Sequence, residues 1–137
     1  MRGGLERVRA VSRPSEGLNL KYVVLGVVAA FLLAVVLSGI MGVVMYQGWL
    51  SEAYSPLVMN IASFASLFFG AVYTGRRAST SGWVHGGLTG LFYIVTVTVI
   101  GLLAFDQLAP LVVLLERAGL GLILGAVAGT VGINLRF

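Results

Sequence analysis

The sequence predicts an all-α, polytopic membrane protein: four transmembrane helices in an up-down bundle with glycine-rich packing faces. Three observations predict it. First, the 137 residues are 58% hydrophobic and only 10% charged, with a mean hydropathy of +1.00, outside the range of soluble domains. Second, the charges are clumped, with none between Lys21 and Glu52, Glu52 and Arg76, Arg77 and Asp106, or Arg117 and Arg136. Each gap can cross a bilayer, whose hydrocarbon core of about 30 Å takes about 20 residues of helix. Third, small residues recur at helical spacing in the apolar runs.

The elements follow in order. Residues 1–21 form a short basic tail with Gly3, Gly4, Pro14 and Gly17 and no apolar periodicity, expected to be mobile or to lie on headgroups. The first span, 22–45, follows Arg2, Arg7, Arg9 and Arg13 as a signal peptide would. Its apolar stretch is too long for one, and no Ala-x-Ala-like site follows, so it is expected to stay in the membrane. The second span, 56–73, leads into a stripe of Ala62, Ser66, Gly70 and Thr74. The third, 83–105, opens on Gly82, Gly86 and Gly90. In the fourth, 111–135, the residues Ala118, Gly121, Gly125, Ala128, Gly129 and Gly132 share one face, within an arc of about 100°. Leu120, Ile123, Leu124, Val127 and Val131 fall elsewhere on that helix. Barrel strands are excluded, because the runs are continuously apolar and about twice the length a tilted strand needs. Connections of about ten residues make neighbouring helices antiparallel. Residues 67–72 read LFFGAV and 122–127 read LILGAV, each in the second helix of a hairpin, the pattern of a parallel repeat.

In a membrane, lipid tails solvate Leu as well as another helix does, so helices associate where small faces let backbones approach. The stripes therefore read as packing surfaces, either within the bundle or between copies. Positive charge sets the orientation. Eight of the nine basic residues lie in the tail, the middle loop with Arg76 and Arg77, and the C-terminus, against Arg117 alone on the other side. The positive-inside rule places both termini and the middle loop in the cytoplasm. The net charge of +4 then reflects topology and contact with anionic headgroups, with no nucleic-acid signal. The absence of Cys removes disulfide and thiol chemistry.

The run GAVYTGRRASTSGWVHGGLTGLFYIV, residues 70–95, resembles the shared core of the YrzE-like group of small bacterial four-helix membrane proteins, found mainly in Firmicutes. There a glycine-rich helix end leads into a short basic loop and then G-[WL]-x-H-G-G-x-x-G-x-x-Y. Gly70, Arg76, Arg77, Ala78, Gly82, Trp83, His85, Gly86, Gly87, Gly90 and Tyr93 match. The overlap runs from about Met59 to Val99; the basic tail and the Ser79-Thr80-Ser81 loop depart from the pattern. The resemblance implies a four-helix protein of the bacterial inner membrane and carries over no catalytic residue.

Arg76 and Arg77 suit headgroup contact or docking of a partner, and Trp83 is a residue of the interfacial aromatic belt. His85 has no second His, no Cys and no carboxylate in its half of the membrane, so it is expected to hydrogen-bond across a helix contact; a proton-linked role is the alternative. Asp106, Glu116 and Arg117 cluster on the opposite side. If the fourth helix begins at Pro110, Glu116 and Arg117 lie inside it, pairing of Asp106 with Arg117 becomes favourable, and Asn60 can join them. If instead 107–115 is interfacial and the span starts at Ala118, all three charges are wet. No catalytic set, metal-ligand spacing or phosphate loop is present, so no enzyme, cofactor or metal is expected. The residues fit a small packing or accessory protein that associates with itself or with a larger membrane complex. The alternative is a homo-oligomeric channel or small transporter, lined by Ser38, Asn60, Ser63, Ser66, Thr89, Thr96 and Thr98.

Overall fold

The computed structural model describes residues 18, 20–78, 81–106 and 108–135. The tail arginines, Ser79, Thr80, Gln107 and Arg136 lie outside the described residues. Four helices form: α1 (Leu20–Tyr46), α2 (Ser55–Arg77), α3 (Gly82–Phe105) and α4 (Leu111–Asn134), with a 3-10 turn at Glu52–Tyr54 before α2. All four are long and apolar enough to cross a membrane, which makes the chain a multi-pass membrane protein.

Local chemistry sets each boundary. α1 is apolar all round and stops at Gly48, whose φ of +77° suits glycine. There Gly48 N donates to Met45 O at 2.9 Å and Trp49 N to Val44 O at 3.3 Å, the paired bonds of a Schellman cap. Pro56 stands in the first turn of α2, where its missing N–H costs nothing. α2 runs to Arg77, so Arg76 and Arg77 sit in its last turn and not in the loop. Cations are favoured there by the helix dipole. α3 is bounded by Ser81 and Asp106, both left-handed, and Asp106 N caps Leu102 O at 2.9 Å. α4 follows Pro110 and is continuous through Glu116 and Arg117.

The closest pair is α3 with α4; α4 also packs on α2, and α1 packs on α2 and, less extensively, on α3. α1 and α4 therefore flank the α2–α3 pair from opposite sides. Burial is concentrated at the end of the bundle that holds Ala78, Ser81, the start of α1 and the end of α4, hereafter the loop end. Every buried residue of α4 lies between Gly121 and Gly132, and every one of α1 between Val23 and Ala30. The interior is built from small residues, with Tyr93 and Leu67 the largest fully buried side chains among the described residues. Large apolar residues face outward, Leu103 at 80% and Val112 at 75% exposure, as expected where lipid is the solvent.

The two hairpins use their repeat glycines alike. Gly70 faces Gly26 and Ala30 of α1, and Gly125 faces Gly86 and Gly90 of α3. Each thus seats the second helix on the first of its own hairpin. One residue departs from the helical-wheel reading: Leu124 packs against the central cluster of Ala30, Leu67, Tyr93 and Ile94 instead of pointing away. α4 packs on α2 as well as on α3, so the flank of α4 that carries Leu124 meets a second neighbour.

Candidate functional site

The most closely built region is the loop end, where glycine backbone meets glycine backbone. Gly82, Gly86 and Gly90 of α3 face Gly129, Gly125 and Gly121 of α4 in antiparallel register. A Cβ built on Gly86 would strike Gly125 O, one on Gly125 would strike Gly86 O, and one on Gly82 would come within 2.6 Å of Gly129 O. Gly129 is shared with α2, since a Cβ on Gly75 would strike Gly129 O, and Gly132 stands against Val72 O. At these positions even a methyl group lacks room. Gly39, Gly42, Gly101 and Gly119, by contrast, have nothing within 4 Å.

A polar junction crosses the same level. Thr74 of α2 and Thr89 of α3 are fully buried, with their hydroxyl oxygens 3.0 Å apart. Thr89 Oγ1 lies 2.8 Å from His85 O, and Thr74 Oγ1 lies 3.1 Å from Gly70 O and 3.3 Å from Tyr22 O of α1. The two hydroxyls thereby lie within hydrogen-bond distance of acceptors on three helices, which share their two protons. His85 is 3% exposed, and its Nδ1 lies 3.0 Å from Ser81 O, the carbonyl that also accepts from Val84 N and His85 N. The ring thus meets its own helix start, and one turn further on Thr89 meets Thr74 across the helix contact. Ser63 and Tyr93 hydroxyls meet at 3.0 Å, and Ser66 donates to Ala62 O at 2.7 Å. Among the described residues no buried side-chain nitrogen or oxygen lacks a hydrogen-bond partner.

Arg76, Arg77 and Trp83 form the rim. All three are exposed, Trp83 to 62%. Arg77 Cζ lies 5.5 Å from the Tyr73 ring centroid, a cation–π contact that holds the guanidinium near the helix end. Trp83 stands at the mouth of an apolar crease between α3 and α4 lined by Gly87, Leu122 and Ala126.

Away from the loop end, Asp106 at the close of α3 and Glu116 and Arg117 in the second turn of α4 are all exposed, and no ion pair joins them among the described residues. The pairing of Asp106 with Arg117 that a helix start at Pro110 would favour does not form: Asp106 is held in the left-handed cap of α3, whereas Arg117 lies in the second turn of α4. Asn60 is likewise exposed near the start of α2. Among the described residues no three His, Cys, Asp or Glu side chains gather as a metal site would require. Sequence reasoning missed Gly26, Ala30 and Tyr22 O as the third side of the junction, although small residues recur every four positions in α1, at Gly26, Ala30, Ala34, Ser38 and Gly42, and would have marked that face.

A family model described as "Protein of unknown function (DUF3792)" matches residues 19–132. No curated protein and no solved structure matches the chain significantly.

Proposed function

We propose for this chain, which belongs to the DUF3792 family of proteins of unknown function, the role of a small packing or accessory protein of the bacterial inner membrane. It is YrzE-like and associates with itself or with a larger membrane complex. What carries the reading is how the interior is used. α3 and α4 meet backbone on backbone in a glycine zipper, and the hydroxyls of Ser66, Thr74 and Thr89 are bound to backbone carbonyls. Thr74 also reaches Tyr22 O of α1 and Thr89 Oγ1 of α3; hydroxyls occupied within and between helices are not presented to a solute, which favours packing over conduction. The reading assigns no catalytic step and no cofactor.

Arg76, Arg77 and Trp83 give the loop end a surface for anionic headgroups, where each cation gains about 1 kcal/mol. The charge count puts that end in the cytoplasm, with both termini. Reporter fusions after Tyr54 and after Leu108 should then register outside, and those after Ser81 and at Phe137 inside; mixed orientation would overturn the assignment. The role itself is tested on the full chain purified in lipid nanodiscs and in proteoliposomes. A defined oligomer or a co-purifying membrane protein, with no ion or solute flux, is expected. A partnerless monomer, or a saturable flux, would refute it.

A further inference from the structure

Glu116 and Arg117 are exposed neighbours on α4 that form no ion pair or hydrogen bond within the described chain. Their depth follows from the glycine contacts. Gly82 faces Gly129, Gly86 faces Gly125 and Gly90 faces Gly121, so one further turn sets Arg117 level with Ile94, at the middle of α3. Ile94 lies about 16 Å along the helix from Trp83 at 1.5 Å per residue. A charge at mid-membrane costs about 2.5–3.5 kcal/mol on insertion scales unless it finds a partner. Among the described residues neither charge has one.

The surface around them indicates what the partner is. At 100° per residue the two side chains flank a strip made of Val113, Leu120, Val127 and Val131. Leu120, Val127 and Val131 are 48%, 53% and 37% exposed. Val113, Leu120 and Val127 recur every seven residues, the spacing of a left-handed helix–helix seam. A two-fold axis parallel to such a seam lays each flank of one helix against the opposite flank of the other. Glu116 stands on one flank and Arg117 on the other, so the strip is complementary in charge to a second copy of itself.

We infer that α4 is the interface of a homodimer, in which Glu116 of each copy pairs with Arg117 of the other across the Leu120 seam. This rests on the self-association reading above and specifies its surface. Each copy supplies the counter-charge the other lacks, and both charges leave the lipid face together.

The chain contains no Cys, so single cysteines in the full-length protein, oxidised in membranes, report the interface directly. Leu120→Cys should give a disulfide-linked dimer, and Val28→Cys on α1, across the bundle, should not. Glu116→Arg or Arg117→Glu, each added to Leu120→Cys, should cut cross-linking about tenfold, a change of about 1.4 kcal/mol. The exchanged pair, Glu116→Arg with Arg117→Glu, should restore it. A Leu120→Cys chain that fails to cross-link overturns the inference whatever the charge variants do, as does an exchanged pair no better than either single. The two levels of failure separate by mass in detergent. A dimer that cross-links at Val28 and not at Leu120 refutes this surface and leaves self-association standing; a monomer by every measure refutes both.

Discussion

Gly125→Leu is expected to disrupt the α3–α4 hairpin and with it the fold. Gly125 stands against the backbone of Gly86 and Gly90, and a Cβ there would lie 3.2 Å from Gly90 Cα as well as striking Gly86 O. Neither obstacle can rotate away, so the helices must separate and lose their dispersion contacts along the whole face. Overpacking against movable side chains costs about 1–3 kcal/mol; against rigid backbone the loss should be at the top of that range or beyond. Gly125→Ala should already destabilise, because the clash begins at Cβ. Gly101→Ala is the matched contrast: nothing lies within 4 Å of Gly101, and replacing a helical glycine by alanine gains about 0.5–1 kcal/mol. Thermal unfolding in detergent should therefore move in opposite directions for the two glycine-to-alanine changes. Equal shifts would remove the special standing of the α3–α4 face.

That contrast marks the limit of what the chain discloses by itself. Hydropathy located the spans to within a few residues because a membrane helix need only be long and apolar, a one-dimensional property. The stripes of Gly82, Gly86 and Gly90 and of Gly121, Gly125 and Gly129 were legible for a similar reason, since spacing alone assigns residues to a face. Which stripe meets which was not, because small residues carry no complementarity of shape or charge that a pattern could match. Leu124 shows a second limit. A helical wheel read for one neighbour assigns one buried face, and here α4 packs on both α3 and α2, so the flank that carries Leu124 is covered as well. Arg76 and Arg77 show a third: the basic pair reads as a loop in hydropathy, yet cations are welcome in the last turn of a helix, and α2 continues through them. The polar junction was legible only in part. Thr74, Thr89 and His85 were visible, but the role of Thr74 depends on Tyr22 O and Gly26, which only the folded arrangement brings near.

The docking of α1 yields the last expected result, a strong coupling between Gly26 and Thr74. α1 buries only Val23, Gly26 and Ala30, so its position depends on few contacts, and the closest of them sets Gly26 against the Thr74 hydroxyl. A Cβ at residue 26 would strike Thr74 Oγ1 and come within 3.0 Å of Gly70 O. Gly26→Ala therefore forces one of two changes. Either α1 lifts away, or Thr74 turns its hydroxyl aside and gives up Tyr22 O and Thr89 Oγ1 together. Both outcomes resemble overpacking and should cost about 1–3 kcal/mol. Thr74→Ala removes the obstacle and the bonds, at about 1 kcal/mol for membrane hydrogen bonds of this kind. With the obstacle gone, Gly26→Ala should add little, so the double variant should be about as stable as Thr74→Ala alone. That is a coupling of about 1 kcal/mol or more, well above the few tenths expected of independent sites. Additive losses would mean that the rigid Gly70 carbonyl, and not the threonine hydroxyl, sets the approach of α1. In that case Thr74→Ala would leave α1 where it is, and cross-linking between cysteines placed at Val23 and Tyr73 would not change with residue 74.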